Sequence, residues 1–545
     1  MAPYSTHPAH RSLKMRISLR MLALAMLVPV ITGFDYQAPQ SDAAKSPDTA
    51  PALSSPQQAS PQSAVEAPPS AFDWRRGKKG NPVLSAAAEP NRAATAFDPA
   101  SPPVHSWETG AGKSYLIPAL EVPTFLILLN LHDRIALSDE RSDDGKKTYS
   151  STFSTTWDHL RRQNWKFDND PFNTNQFGHP YQGATMYGLA RSCGLGFWES
   201  AAYSNLGSFA WEMAGETGHP SINDMATTGT SGSLLGEALF RMSALVLKEN
   251  VPHPDAWHEL GAAVISPTTA FNRFAFGDRF KTVFPSHDPA ISWRMRLGAA
   301  LSGNSQQAAT ADFAISYGLP GKRGYSYTRP LDYFDFQISG LSKASNPLGI
   351  VLLRGLLYGK KYQAGEDYRG IWGLYGSYDY ISPGVFRVST TALSLGTTAQ
   401  YWVAPGVALQ GSLLGGAGFG AAGVTPVANG DRDYHYGVTP QGILSLRLLL
   451  GDRAALELVG RGYYVSGTGS DNSDGTERIV RAVANVTIRV YGRHGLGLQY
   501  VKSHRDAHYS NLPSRQQSDG TLSVVYTFLG DSRFGAVEWR NLGDR

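Results

Sequence analysis

Over the last 250 or so residues, apolar and polar side chains alternate with a period of two, the pattern of β-strands with two different faces. In one such segment Arg481 and Arg489 lie on one face, whereas Ala484, Val486 and Ile488 lie on the other. The pattern begins before residue 295 and recurs in about twelve segments. These residues are therefore predicted to form an antiparallel all-β structure.

The polar faces of several predicted strands carry arginine, which decides where those faces point. An unpaired arginine in the middle of a bilayer costs roughly 2–4 kcal/mol, so the arginine faces must line a lumen and the leucine faces must meet lipid. Only a closed sheet leaves no unpaired backbone groups in lipid. The sequence thus predicts a transmembrane β-barrel of about twelve strands, with a soluble β-sandwich as the alternative. The predicted lumen-facing residues are Arg294, Arg296, Asp335, Arg447, Glu457, Arg461, Arg481 and Arg489.

The connections between the predicted strands alternate between short and long. Tight turns are expected at 404–406, 451–453 and 492–495, and long polar loops at about 418–434, 466–477 and 505–517. Tight turns are typical of the periplasmic side, so an even strand count places both ends of the barrel there. An apolar segment, 534–540, follows the last clear strand and could change the count by two.

The N-terminus predicts export. Basic residues precede an apolar run at 21–31, which indicates a secretory signal peptide over residues 1–33. A permanent anchor is the alternative, but the run is shorter than the roughly 20 residues that span a bilayer. Residues 34–114 are rich in Pro, Ala, Ser and Gln and are predicted to be a disordered periplasmic tether. A ligand for a proline-recognising domain or for the cell wall is the other interpretation of this segment.

Composition and charge exclude several classes of protein. The chain has 57 glycines and 11% aromatic residues with a slightly negative mean hydropathy, a mixture typical of a barrel with a polar interior. The net charge of +4 is scattered, which argues against nucleic-acid binding. The single cysteine, Cys193, excludes an intramolecular disulfide and a multi-cysteine zinc site. We expect no cofactor. The expected partners are outer-membrane lipid, periplasmic chaperones, the barrel assembly machinery and a possible periplasmic partner of the tether.

Residues 115–250, between tether and barrel, are predicted to form three or four short helices, with Pro180 in a first helical turn and another helix ending at Lys248. Several motifs follow in order: Gln176-Phe-Gly-His179-Pro180, Gly196-Phe-Trp-Glu-Ser200, Gly207-Ser-Phe-Ala-Trp-Glu212, Pro220-Ser-Ile-Asn-Asp224 and Gly236-Glu237. Together they resemble the uncharacterised bacterial family catalogued as domain of unknown function 3943, through about residues 165–250. The resemblance implies a Gram-negative envelope protein and brings no known activity or catalytic residue.

The same region contains a candidate polar cluster. Glu212 and Glu216 are four residues apart, so on a helix they would share one face and repel unless a proton, a cation or an arginine lay between them. One interpretation is a site for acid/base chemistry or for a hard cation. The other, which we favour, is a set of helix caps and ion pairs without a metal. The cluster consists of His179, Arg191, Glu212, Glu216, Asn223, Asp224 and Glu237.

Three functions fit these features. The favoured one is a structural or transport role in the outer membrane, with the helical domain as a plug in the lumen or a module at its periplasmic mouth, and with arginines that favour anionic passengers. The second is a membrane lipid-modifying hydrolase, by analogy at fold level only. The third is an envelope tether anchored by the barrel. The residues Ser503, His504, Asp506 and His508 combine nucleophile, base and ligand types, but we predict a surface loop there.

Overall fold

The computed structural model describes a set of helices followed by a β-barrel. The predicted signal peptide and almost all of the predicted tether lie outside the described residues. The described residues are 112–142, 145–162, 164–248, 254–276, 288–302, 307–342, 348–382, 386–423, 433–467, 475–509 and 513–539.

Twelve antiparallel strands close into a barrel in which each strand pairs with its neighbours in sequence and β1 pairs with β12. The prediction of a closed barrel of about twelve strands is confirmed. The strands are β1 (Ile291–Ser302), β2 (Gln307–Tyr317), β3 (Phe334–Leu341), β4 (Leu348–Ala364), β5 (Tyr368–Ile381), β6 (Val388–Ala404), β7 (Val407–Ala422), β8 (His435–Leu450), β9 (Ala454–Val465), β10 (Gly475–Tyr491), β11 (His494–Tyr509) and β12 (Arg515–Leu529).

The two ends of the barrel differ in their connections. At one end, called here the tight-turn end, short turns join β4 to β5, β6 to β7, β8 to β9 and β10 to β11. Gly406 and Gly451 in these turns have positive φ angles, which glycine adopts without strain. The strand β1 begins and β12 ends at this same end, as the turn pattern predicts. The opposite end is called the long-loop end.

Contacts across the barrel identify which side chains face the lumen. Gln441 on β8 donates a hydrogen bond to Ser377 on β5, and Arg461 on β9 donates to Asp379 on β5, although neither strand is a neighbour of β5. The even-numbered residues of this part of β5 therefore point outward. Elsewhere the outer surface carries exposed leucines, as a lipid-facing wall requires. They include Leu297, Leu393, Leu413, Leu446, Leu458, Leu498 and Leu522.

The helices precede the barrel in the chain and are more numerous than the sequence predicts: further helices form at 116–136 and 153–162, and two more follow residue 250. The helix with Pro180 in its first turn and the helix that ends at Lys248 are both present. The helices are α1 (Leu116–Ala136), α2 (Phe153–Arg162), π1 (Thr174–Gly178), α3 (His179–Ser192), α4 (Phe197–Ala214), α5 (Ile222–Asp224), π2 (Met225–Ser231), α6 (Gly232–Lys248), α7 (Ala256–Ile265) and α8 (Pro267–Phe276).

These helices pack against the outside of the barrel. The hydroxyl of Tyr378, an outward residue of β5, donates to the backbone oxygen of Gln176 at 2.5 Å. A Cβ on the outward Gly376 would lie 3.0 Å from Leu234 of α6. The hydroxyls of Ser231 and Thr391 are also hydrogen-bonded, and Thr391 shares the outward face of β6 with the exposed Leu393. The prediction that the helices plug the lumen or cap its mouth is therefore wrong.

Helix α1 is the one helix among the described residues that is long and apolar enough to cross a membrane, and 28% of its most apolar window is buried. Val122 and Leu126 pack against α3 and α4, whereas Leu120, Ile127 and Ile135 are exposed. The helical domain thus presents apolar side chains away from the barrel as well as towards it.

The segment after β12 turns into the lumen at the tight-turn end instead of adding a strand. Gln400 donates to the oxygen of Val537 at 2.7 Å, and Gln410 donates to the oxygen of Gly535 at 2.8 Å. Both glutamines belong to strands β6 and β7 and are buried. Residues 534–539 therefore occupy the lumen at the tight-turn end, and the strand count over the described residues stays at twelve.

Candidate functional site

A buried acidic cluster lies where the helical domain meets the outer wall. It combines Asp168, in the segment before π1, with His179, the first residue of α3, and Asp224, the last residue of α5. One ligand-type atom from each of these side chains lies within 4.8 Å of the other two. We call these three residues the acidic site.

Local hydrogen bonds bring the acidic site together. The backbone of Lys166 pairs with the segment before α5: its N–H donates to Pro220 at 3.0 Å, and its oxygen accepts from Ile222 at 2.8 Å. The Ser221 hydroxyl caps α5 by accepting from the N–H of Asp224 at 3.2 Å. These bonds place Asp168 beside α5 although 55 residues separate it from Asn223.

Two amides hold the carboxylates. The Asn223 Nδ2 donates to Asp168 Oδ1 at 2.9 Å and to Asp224 Oδ1 at 2.8 Å. The Asn175 Nδ2 donates to Asp168 Oδ1 at 2.5 Å and to the Tyr434 hydroxyl of the barrel at 2.8 Å. The Oδ1 atom of Asn175 is fully buried and has no hydrogen-bond partner among the described residues.

Burial dominates the electrostatics of the acidic site. Burial raises the pKa of Asp224 well above its usual range, and the nearby carboxylates of Asp168 and Glu212 raise it further. Burial lowers the pKa of His179, which keeps its imidazole neutral. The His179 Nε2 lies 3.6 Å from Asp224 Oδ2. Such a site is stable when a proton or a cation reduces its negative charge.

Glu212 and Glu216 do not share a helix face, because α4 ends at Ala214 and Glu216 follows its end. Glu212 accepts from the N–H of Ser221 at 2.7 Å, and Glu216 accepts from the Trp211 indole at 3.0 Å. Burial raises the pKa of Glu212 well above its usual range and that of Glu216 to about 7. The two carboxyls are therefore neighbours of the acidic site with separate partners.

Glu237 belongs to a different cluster. Its carboxylate accepts from Arg191 Nε and Arg241 Nε, both at 2.7 Å, and from the Tyr187 hydroxyl at 2.7 Å. Arg241 also binds Asp332, in the connection between β2 and β3, at 3.1 Å. The predicted polar cluster is therefore two separate clusters. Among the described ion pairs, Arg191 pairs with Glu237 and not with Glu212 or Glu216.

The comparisons with known proteins bear on this helical region. Residues 164–268 match the family described as Domain of unknown function (DUF3943). The resemblance given by the motifs is thereby confirmed, and we call these residues the DUF3943 region. It contains the acidic site and Glu237. No curated protein sequence matches the chain.

Solved structures of outer-membrane proteins resemble the barrel at very low identity. OmpT of Vibrio cholerae is 9% identical over 44% of this chain and 98% of its own, with a TM-score of 0.20. The anion-selective porin from Comamonas acidovorans is 7% identical over 44% and 98%, with a TM-score of 0.17. The channel DcaP of Acinetobacter baumannii is 8% identical over 44% and 96%, with a TM-score of 0.20. Such scores support no inference about function.

Ion pairs cross the lumen of the barrel. Glu457 on β9 lies 2.7 Å from Arg296 on β1 and 2.9 Å from Arg447 on β8, with Arg294 at 3.7 Å. The cavity beside these residues has a volume of about 10 Å³, which is roughly the space that one water molecule needs. The remaining predicted lumen residues also have partners: Arg461 binds Asp379, Asp335 binds Arg354, Arg481 binds Ser503, and Arg489 binds Asp452 beside a turn.

The residues from Ser503 to His508 lie in strand β11 and not on the predicted surface loop. Ser503 is buried and accepts from Arg481 at 3.2 Å. Asp506 and His508 are an exposed pair with 3.4 Å between His Nε2 and Asp Oδ1. Alternation along the strand sets them on the opposite face from Ser503, so the three residues do not form a nucleophile with its base.

Proposed function

We propose that this protein is a closed outer-membrane barrel whose role is structural: it anchors the DUF3943 region at the lipid-facing side of its wall. The observation that carries the proposal is the filled lumen. Arg447 links the two elements that fill it, since it binds Glu457 on the wall and donates to the backbone oxygen of Phe534 in the C-terminal segment at 2.9 Å. An open channel needs a continuous aqueous path, which these groups obstruct.

The charges of the lumen support a structural role over anion transport. Arginines that attract anionic passengers must keep their charge available to solvent. Here Glu457 accepts from Arg296 and Arg447, and Asp379 accepts from Arg461. These pairs neutralise one another inside the barrel, and the pairs Arg296–Glu457 and Arg461–Asp379 join strands that are not neighbours in the sheet.

The location follows from the same physical argument. The exposed leucines on the barrel exterior favour lipid, and closed barrels with such exteriors are typical of outer membranes. We propose that the tight-turn end faces the periplasm and that the N-terminal region lies there, within reach of a periplasmic partner. Chaperones and the barrel assembly machinery would then deliver the chain to the membrane.

Conductance of the full-length protein in planar bilayers tests the proposal. We expect a folded, heat-modifiable barrel that conducts no ions, because paired side chains and the C-terminal segment occupy the lumen. A double variant, Arg447→Ser with Glu457→Ser, in a chain that ends at residue 530 should give ion conductance. The Arg489→Ser variant, whose ion pair lies beside a turn, is the matched control and should stay closed. Stable openings of the unmodified protein would overturn the proposal.

A further inference from the structure

We infer that Asp168, His179 and Asp224, together with the amide oxygen of Asn175, form a binding site for a divalent cation. This inference concerns the DUF3943 region and does not depend on whether the lumen conducts. It also departs from the sequence-based expectation of no metal, because the backbone pairing of Lys166 with Pro220 and Ile222 brings Asp168 into the site.

The donor atoms are those that a divalent cation takes from proteins. Two carboxylates and one imidazole offer atoms within 4.8 Å of one another, a spacing that lets a single ion contact all three. Carboxylate and amide oxygens suit Mg²⁺, Ca²⁺ and Mn²⁺, whereas imidazole suits Zn²⁺ and other transition metals. The mixed set therefore favours Mn²⁺ or Zn²⁺ over Ca²⁺ and Mg²⁺.

The amide of Asn175 is an independent sign of a ligand. Its nitrogen is held by Asp168 and Tyr434, which fixes the amide against the carboxylate of the site. Its oxygen is left without a hydrogen-bond partner although the residue is fully buried. Buried polar atoms are nearly always paired with protein or water. A cation next to Asp168 would give this oxygen a partner.

The surroundings fit a bound cation as well. Burial keeps His179 neutral by lowering its pKa, and the neutral imidazole is the form that binds metals. Asp224 is buried beside two other carboxyls, so a cation would relieve their repulsion. Asp168 is only half-buried, and this edge gives an ion a route from outside. Because Asn175 also contacts Tyr434, the cation would stiffen the junction between the DUF3943 region and the barrel.

Metal binding by the full-length protein in detergent tests the inference. After EDTA treatment and removal of the chelator, we would titrate Mn²⁺, Zn²⁺, Ca²⁺ and Mg²⁺ by calorimetry. We expect about one equivalent of Mn²⁺ or Zn²⁺, and an affinity at least tenfold lower for Asp224→Asn, which keeps the side-chain shape. The Asp158→Asn variant, which removes an exposed carboxylate of α2, is the control and should bind like the unmodified chain.

A spectroscopic measurement on the unmodified protein keeps the test independent of folding of the variants. With Mn²⁺ bound, pulsed electron paramagnetic resonance should detect coupling to one imidazole nitrogen, and His179→Gln should abolish that coupling. Absence of binding by all four ions at millimolar concentration would overturn the inference. Equal binding by Asp224→Asn, or bound Mn²⁺ without nitrogen coupling, would also overturn it.

Discussion

At the scale of single residues, Glu237 shows how one carboxylate holds two arginines inside a protein. Glu237, Arg191 and Arg241 are all nearly inaccessible to solvent, and each guanidinium donates to the carboxylate at 2.7 Å. Burial by itself would raise the pKa of Glu237, but the attraction of the two arginines outweighs it and lowers that pKa to about 2. The triad joins α3 to α6, and through Asp332 it joins both helices to the barrel.

We predict that Glu237→Gln destabilises the helical domain by about 3–5 kcal/mol, since it leaves two buried guanidinium groups without a counter-charge. Urea unfolding in detergent, followed by circular dichroism at 222 nm, measures the change. Asp158→Asn removes an exposed ion pair with Arg162 and should change stability by less than about 0.5 kcal/mol. A similar, small effect of both variants would contradict the role of the triad.

The pH dependence of unfolding gives the same prediction a second readout. The pKa of Glu237 lies below its unfolded value of about 4.5, so its stabilising effect is complete above pH 4.5 and is lost as pH falls towards 2. The unmodified protein should therefore lose more stability than Glu237→Gln across this range. Equal pH slopes for the two proteins would show that the carboxylate is not stabilised by its arginines.

At the scale of elements, the C-terminal segment, residues 530–539, blocks the lumen at the tight-turn end. The Trp539 ring packs edge-on against Trp402 with 6.1 Å between centroids, and Arg369 lies 4.9 Å above the same ring. The indole N–H donates to the oxygen of Glu366 at 2.8 Å. A short segment without secondary structure is thereby fixed to β5, β6 and the turn between β4 and β5.

We predict that Trp539→Ala destabilises the barrel by about 3–5 kcal/mol, the usual effect of removing a buried tryptophan. The measurement is the temperature at which the folded band on a gel converts to the unfolded band. Trp257→Ala, which removes a ring that is 78% exposed, should leave that temperature unchanged. A segment that only rests at the mouth would give the same result for both variants.

The strands could be predicted from the sequence because alternation is a local property of the chain. The partners of the lumen arginines could not: Arg296 and Glu457 are 161 positions apart. The position of the helices relative to the barrel could not be predicted from the local sequence pattern either. Outward residues such as Tyr378 and Tyr380 are buried under the helices, yet an aromatic side chain on the outer face fits lipid and protein equally well.

The acidic site shows the same limit. His179 and Asp224 stand in recognisable motifs and were predicted as cluster members. Asp168 and Asn175 were missed because the backbone pairing of Lys166 with Pro220 and Ile222, which sequence periodicity does not reveal, brings them into place. Arg241 was missed although its spacing of four residues from Glu237 on one helix was a usable signal.

At the scale of the whole molecule, paired side chains cross the interior of the barrel and helices cover part of its outer wall. Ion pairs and the C-terminal segment fill the lumen, while the DUF3943 region lies along the outer wall from Tyr434 near the long-loop end to Asp332 at the tight-turn end. Helix α1 packs Val122 and Leu126 against α3 and α4 and leaves Leu120, Ile127 and Ile135 exposed.

A disulfide cross-link tests this arrangement most directly. Ser231 and Thr391 have hydrogen-bonded hydroxyls, so cysteines at both positions would place their sulfur atoms in contact. Thr391 faces outward, whereas the adjacent Thr390 faces the lumen and binds Gln441. In a Cys193→Ala background, Ser231→Cys with Thr391→Cys should give a linked peptide by mass spectrometry after oxidation, and Ser231→Cys with Thr390→Cys should not. A link to position 390 and none to 391 would place the helices inside the barrel and contradict the account.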